Sequence, residues 1–471
     1  MATIQDLPNE LIFAILRSQH PPDLSNLSLT CHRFHDLASP LIQEVREIRA
    51  YLSSSSSGLY IDLLRHVLKN PRFGLHVTYL RIVDRYKNWE TFFSAGTPFM
   101  PSFAPLSDSE LSLLQAAFAE FEGVFRELGW GAEKWMRQVE SGDRGPALIL
   151  LLCLLPELRK VTIGDLQLLH EAQSILGNQA ADAAPASWTD TPPFVAAAKL
   201  ESACFFVRGG EHGVRLVYVM PVAALLAVPM IGCHDFRQGT GLDGDLERLA
   251  CLSRTDLRLE YSCLGFSASG YILNTSGRLR RFYYEYGGAT TPMSAEFLPW
   301  EYRDIFLWHG RSTLEHLTLA TPCDDSYDFG NYNPFAGSLR EFEVLKTVDM
   351  HFEMLVDTDE NNLVWDPTPI GGDTPKLGKL KKLADTLPAS LEMLRIPGRF
   401  RDVEQIVDQL MDLLKRKEES QPKLTKIAIG PVDGLEASQR GLLEGACKAA
   451  GVSLEEWKPE DRHRWPDNPA W

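Results

Sequence analysis

Eight times along its 471 residues this chain repeats one apolar pattern: an apolar residue, two others, an apolar residue, one other, and a third apolar residue. It runs through Val77, Leu80 and Ile82; Leu158, Val161 and Ile163; Leu200, Ala203 and Phe205; Leu279, Phe282 and Tyr284; Leu314, Leu317 and Leu319; Leu345, Val348 and Met350; Leu391, Leu394 and Ile396; and Leu424, Ile427 and Ile429. The last two positions of each, one residue apart, share a face of a short strand, and the first turns the chain into the core. No single strand of this kind buries its own apolar face. Stacked units, each closed by a helix or an irregular segment, bury a continuous core behind a parallel sheet. The units starting at Leu279, Leu314 and Leu345 are 35 and 31 residues apart, and those at Leu391 and Leu424 are 33 apart, so the repetition is irregular.

Helices are predicted between these strands at residues 147–153, 195–199, 300–310 and 403–417. Residues 84–146 are too many for one unit and read as an inserted helix pair. Within them, residues 111–128 place Leu111, Leu114, Phe118, Phe121, Phe125 and Leu128 along one helix face. Residues 177–193 and 232–244 read as loops, and residues 436–457 as a last helix and strand before a polar end. The series resembles leucine-rich repeats of the degenerate, variable-length sort. That resemblance implies an irregular α/β solenoid with a parallel sheet, although the usual Asn or Cys after each strand is mostly missing. The competing reading is an ordinary doubly wound α/β domain, because the pattern arises by chance in any leucine-rich chain. Its eightfold recurrence favours the repeat.

The amino-terminal residues 7–42, LPNELIFAILRSQHPPDLSNLSLTCHRFHDLASPLI, have a different period. Leu7 and Pro8 open a helix in which Leu11, Ile12, Ile15 and Leu16 recur at helical spacing. His20-Pro21-Pro22 ends it. Asp23 is placed to cap a second helix carrying Leu24, Leu27 and Cys31, and Phe34, Leu37, Leu41 and Ile42 supply a third group interrupted at Pro40. So short a segment cannot bury all of these, and it holds one cysteine and no ligand cluster to stabilise it. Its surplus apolar face is expected to dock on something.

Leu7-Pro8-x-Glu10-Leu11-Ile12, then Asp23-Leu24-x-x-Leu27, then Leu29-Thr30-Cys31-His32-Arg33-Phe34, resembles an F-box. Phe34 stands where many F-boxes have Trp, and no Trp follows Leu41. The competing reading makes these helices a cap on the domain behind them, which would not need the Leu-Pro-x-Glu start and the Cys-x-x-Phe end together. The expected organisation is α/β: a three-helix F-box at residues 1–50, then a leucine-rich-repeat-like solenoid at residues 51–471 with a helical insertion near residues 84–146. The serine tract at residues 53–57 reads as the hinge.

A formal net charge of −16 argues against nucleic-acid binding, since phosphate would be repelled. The apolar run at residues 147–156, ALILLLCLLP, is about half of what a bilayer requires, so a buried helix and no membrane partner are expected. Eight cysteines show no paired spacing, which indicates neither a zinc site nor a disulfide framework. The first residues, MATIQDLPNE, lack a basic and apolar leader, and a cytoplasmic or nuclear location is expected. Gly239, Gly241 and Gly244 match a dinucleotide fingerprint literally, but no strand precedes them and Asp243 and Asp245 would face a phosphate. Asp243, Asp245 and Glu247 lack the glycine and terminal Glu of a calcium loop. Cys233 and His234 are adjacent, and adjacent side chains seldom face one another. No catalytic residue, metal ligand or cofactor site is assigned, and no enzymatic activity is expected.

What the resemblance implies is a substrate-receptor subunit of a Skp/cullin/F-box ubiquitin ligase, most similar as a whole to F-box proteins of filamentous fungi. The Skp-family adaptor, and cullin through it, would be held by Leu7, Pro8, Leu11, Ile15, Leu24, Leu27, Cys31 and Phe34. A protein substrate, its identity open, would meet the residues flanking the strand apolars, which are expected to point out of the sheet: Tyr283, Glu285, His316, Thr318, Asp349, His351 and Arg395. Residues 324–366 hold eleven acids against Arg340 and Lys346, and Lys376, Lys379, Lys381 and Lys382 follow. These read as solvated loops, or as a charged lip in which Asp357, Asp359 and Glu360 attract a basic substrate segment. The alternative to a ligase receptor is a non-catalytic interaction scaffold acting outside one.

Overall fold

The computed structural model describes residues 4–17, 19, 21–54, 59–83, 107–122, 132–140, 144–164, 199–206, 214–215, 230–234, 236–237, 255–262, 279–286, 298–321, 335–356, 382–398, 403–430 and 435–457. They fall into two compact units, one holding the described residues up to Cys204 and the other those from Phe205 onward.

The first unit opens with α1 (Asn9–Arg17), α2 (Pro21–Ser28) and α3 (His32–Ser54). Two local expectations are corrected here. Asp23 does not cap α2, which begins at Pro21, where a fixed φ and a missing N–H suit a first turn; Asp23 instead places its charge near the positive helix end. Pro40 does not interrupt the third helix. It lies inside α3 at an exposed position, so the Asp36 carbonyl that loses its donor is on the solvent side. The same helix runs through Ser53 and Ser54, so the serine tract starts as helix rather than hinge.

Next come α4 (Leu59–Lys69), a 3-10 turn (Pro71–His76) and β1 (Tyr79–Val83). Two helices lie within residues 84–146, α5 (Asp108–Glu120) and α6 (Ala132–Glu140). Leu114 and Phe118 face inward on α5, with the Phe118 ring 4.7 Å from that of Trp135 on α6. Phe125 and Leu128 lie outside the described residues. Ser107 and Glu110 form a capping box at the start of α5, and the Glu110 carboxylate also accepts from Lys69 Nζ on α4 at 2.9 Å. The backbone hydrogen bond from Ser107, reinforced by Lys69, lowers the Glu110 pKa to about 2. Then α7 (Arg144–Cys153) is buried from residue 147 through residue 153, as the apolar run predicts, and burial pushes the Cys153 thiol up. β2 (Lys160–Gly164) pairs in parallel with β1, opposing Leu80 to Val161 and Ile82 to Ile163. β3 (Ser202–Phe206) follows.

The second unit contains β4 (Val214–Arg215), β5 (Met230–His234), β6 (Phe236–Arg237), β7 (Asp256–Ser262), β8 (Arg281–Tyr286), α8 (Pro299–Gly310), β9 (His316–Ala320) and β10 (Thr347–Met350). Two single-turn helices, α9 (Phe352–Leu355) and α10 (Leu383–Thr386), precede β11 (Met393–Ile396). It closes with α11 (Val403–Lys415), α12 (Lys417–Ser420), β12 (Lys426–Ile429), α13 (Ala437–Ala449) and β13 (Ser453–Glu456). β5, β7, β8, β9, β10, β11, β12 and β13 lie side by side in that order, each parallel to the next. All eight sequence hexads become strands that start at their third residue. The expected loop at residues 232–244 is corrected at its start: Gly232 to His234 pair with Arg258 to Glu260, so β5 is a strand with no leading leucine.

One apolar row crosses five strands as Leu257, Phe282, Leu317, Val348 and Leu394, all buried. Behind β8, α8 packs Phe306 against Phe282 with ring centres 4.6 Å apart, and Tyr302 against Tyr284 at 4.7 Å. Buried polar side chains ahead of β11 and β12 tie repeat to repeat. Thr386 Oγ1 donates to the Leu355 carbonyl at 3.2 Å, and Gln421 Nε2 donates to the carbonyls of Ala384 and Leu387 at 3.0 and 3.1 Å. Buried carbonyls need such donors. Among the described residues no helix is long and apolar enough to cross a membrane, and no cluster of His, Cys, Asp and Glu could hold a metal ion.

Candidate functional site

The three amino-terminal helices divide their apolar residues between a core and an open face. Ile12 and Leu16, one turn apart on α1, are each 1% exposed and pack with Leu24, Phe34, Ala38 and Leu41. Leu11 and Ile15 sit one residue earlier, and that 100° rotation leaves them 52% and 37% exposed. Ile4 and Pro8, ahead of α1, are exposed as well. Leu29, in the turn after α2, is exposed too. An apolar row on so small a core has the form of a docking surface.

The remaining expected contacts sort by depth. Leu7, Leu27 and Cys31 are half-buried at the margin of the core, whereas Leu24 and Phe34 lie within it and act on the open face only by supporting it. Cys31 also begins α3: its Sγ accepts the Phe34 N–H at 3.5 Å and its carbonyl accepts that of His35 at 2.9 Å. Arg33 does more than the sequence indicates. Its guanidinium donates to Asn9 Oδ1 and to the Leu7 carbonyl, binding the first turn of α3 to the start of α1.

The face of the sheet in the second unit departs from expectation. Tyr283, Glu285 and Asp349 do not stand out as exposed side chains; they are 3%, 2% and 2% exposed. Each lies beside a polar or charged neighbour in the sheet. Tyr283 donates its hydroxyl to Glu285 Oε2 at 3.1 Å, and Arg258, opposite Tyr283 on β7, lies over the ring 4.4 Å from its centre. Asp349 faces Arg395 across β10 and β11 at 3.9 Å. His316, Thr318, His351 and Arg395 remain half-buried and reachable. His351 shares a 3.1 Å hydrogen bond between its Nε2 and Thr321 Oγ1, and burial lowers the His316 pKa. Asp357, Asp359, Glu360, Lys376 and the glycines 239, 241 and 244 lie outside the described residues.

Comparison with known proteins separates the amino-terminal helices from most of the remaining chain. A family model described as F-box-like matches residues 4–43, and one described as a leucine-rich repeat domain matches residues 51–436. No curated protein matches the chain. Domains of both kinds are interaction modules, and the second match covers most of the chain. The chain therefore belongs to the leucine-rich-repeat family, with an F-box-like domain at residues 4–43.

Proposed function

We propose that this chain is the substrate-receptor subunit of a Skp/cullin/F-box ubiquitin ligase, working in the cytoplasm or nucleus. The observation that carries this reading is the exposure of Leu11 and Ile15 on a helical cluster whose other apolar residues are already packed. Covering two such half-exposed side chains is worth about 1–2 kcal/mol each, enough to help hold an adaptor. Leu7, Pro8, Leu27 and Cys31 extend that contact, and Leu24 and Phe34 support it from inside. Cullin joins through the adaptor. A substrate protein docks on His316, Thr318, His351 and Arg395, held in place by the buried Tyr283, Glu285 and Asp349. The receptor needs no catalytic group of its own; by holding a substrate it raises the concentration of that substrate's lysines near activated ubiquitin.

The test is affinity purification of the full chain beside its Leu11→Glu/Ile15→Glu variant, with mass spectrometry and a melting curve for each. The expected result is adaptor and cullin with the parent chain, neither with the variant, and equal melting temperatures. Adaptor capture by the folded variant would remove the proposed face. Adaptor without cullin would instead favour a scaffold acting outside a ligase.

A further inference from the structure

α8 turns Tyr302 and Phe306 inward, where both are buried, and leaves Trp308 86% exposed on another side of the helix. A Trp held in water adds little to the packing of its own chain, and Trp is among the residues that dominate protein interfaces. Asp304 and Arg311 stand on the same side, four residues before Trp308 and three after it, each with about half of its side chain exposed. Trp300 and Leu307 border this face and are half-buried. Each charge already has a partner within its own chain, Arg303 for Asp304 at 2.8 Å and Glu343 for Arg311 at 3.1 Å. Such surface pairs are weak and readily exchanged. They do not create a contact by themselves, but they align one that Trp308 supplies.

We infer that this face is the contact of a two-fold dimer, and that its occupant is the same helix of a second copy lying antiparallel to it. The face complements itself in charge. Asp304 and Arg311 lie on either side of the midpoint between Leu307 and Trp308, each about 5 Å away along the axis at a rise of about 1.5 Å per residue. Turning a second helix through a half-rotation about that midpoint brings its Arg311 level with Asp304 and its Asp304 level with Arg311, so one operation makes two opposite-charge pairs. The two Trp308 rings then meet near the axis, where an aromatic pair is best covered. A parallel copy would instead set Asp304 beside Asp304 and Arg311 beside Arg311, so direction is specified as well as place. Trp308 contributes about 200 Å² and its flanking residues about 300 Å² more, so two copies bury about 1,000 Å², the lower limit for a specific interface and enough for a weak, concentration-dependent dimer. This dimer is independent of the adaptor reading, whose residues lie in the first unit.

Sedimentation equilibrium of the full chain between about 1 and 200 µM tests it, and a dimer with a dissociation constant of about 1–100 µM is expected. Trp308→Ser should weaken association about tenfold or more while leaving the melting temperature unchanged, because the side chain it shortens is exposed. Asp304→Arg and Arg311→Asp should each weaken it about fivefold or more, since either variant alone sets like charges against one another. Mixing these two variants should restore association to within about threefold of the parent, because in the mixed dimer both positions again meet an opposite charge. The Leu11→Glu/Ile15→Glu variant should dimerise as the parent does, which separates this contact from the amino-terminal face. A parent chain that stays monomeric at about 200 µM overturns the inference. So does undiminished association of Trp308→Ser, a mixture that associates no better than its components, or loss of the dimer in the Leu11→Glu/Ile15→Glu variant.

Discussion

Arg33 Nε donates to Asn9 Oδ1 at 2.8 Å, and the same guanidinium gives a second hydrogen bond, from Nη2 to the Leu7 carbonyl at 2.7 Å. One side chain from α3 therefore fixes where α1 starts, and with it the direction in which Leu11 and Ile15 point. Hydrogen bonds from a charged donor contribute about 1.5–3 kcal/mol each where water is partly excluded. Arg33→Met should raise amide exchange at Leu11 and Ile12 about tenfold while leaving exchange in β9 to β12 unchanged. Equal exchange at Leu11 would show that the guanidinium does not hold the helix start.

The two sides of α1 should respond differently to truncation. Ile12→Ala removes a side chain that is 1% exposed and should cost about 2–5 kcal/mol of local stability. Leu11→Ala, on the open side, should stay within about 0.5 kcal/mol. Hydrogen exchange across α1 to α3 reads both. A comparable loss for Leu11→Ala would mean that this side chain is packed in solution.

This division was only partly legible from sequence. Helical spacing collects Leu11, Ile12, Ile15 and Leu16 on one side without saying which pair faces in, because the direction depends on where α2 and α3 dock. The strands were easier, since two apolar residues one apart behind a leading apolar residue leave little choice of structure. β7 escaped because Arg254 stands where that leading residue should be, although Leu257 and Leu259 are spaced correctly. Charge was the misleading signal on the sheet. Glu285 and Asp349 look solvent-facing as residue types, yet Tyr283, two residues away on the same strand, meets the first and Arg395, on the neighbouring strand, meets the second; the cross-strand pair becomes visible only once register is known. Glu110, Arg33 and Gln421 make contacts between positions far apart in the chain, which no local period reports.

Glu110 gives a dependence on pH. Its folded pKa of about 2 lies below the ordinary 4.5, owing to the backbone hydrogen bond from Ser107 and the pairing with Lys69. A carboxyl with a depressed folded pKa stabilises the fold fully above its unfolded pKa, and that stability is lost as pH falls through the folded value. The contribution, on the order of 2 kcal/mol allowing for solvent beside the pair, should fade between about pH 4.5 and 2. Urea unfolding of Glu110→Gln should therefore lie below that of the parent at pH 7, and the gap should close toward pH 2. A gap that does not change with pH would mean that Glu110 acts through packing alone.

Gly398, just after β11, has φ +97, and a Cβ there would lie 2.8 Å from Nδ1 of His351. Gly398→Ala meets both problems, a left-handed backbone that costs about 1–2 kcal/mol and a ring that must move. Calorimetry should show a lower melting temperature for this variant. Adding His351→Ala should return only part of the loss, because the backbone term remains. Complete recovery would show that the ring contact was the whole penalty.

Gln421 has no exposed surface and donates from Nε2 to two carbonyls of the preceding repeat, those of Ala384 and Leu387. Gln421→Met keeps the length and most of the volume but leaves both carbonyls without that donor. An unsatisfied buried acceptor costs about 1–3 kcal/mol, so the two carbonyls outweigh the one unpartnered Gln421 Oε1 that the substitution removes, and the net loss should be about 1–3 kcal/mol. The consequence reaches beyond one site. α10 is a single turn (Leu383–Thr386), too short to persist by itself, and Gln421 together with Gln409, which accepts the Leu383 N–H at 2.9 Å, fastens it to the following repeat. Amide exchange in α10 and at Leu387 should therefore rise by more than that in β11 in the Gln421→Met variant. If exchange rises equally across residues 383–396, Gln421 stabilises the unit as a whole rather than this one joint between repeats.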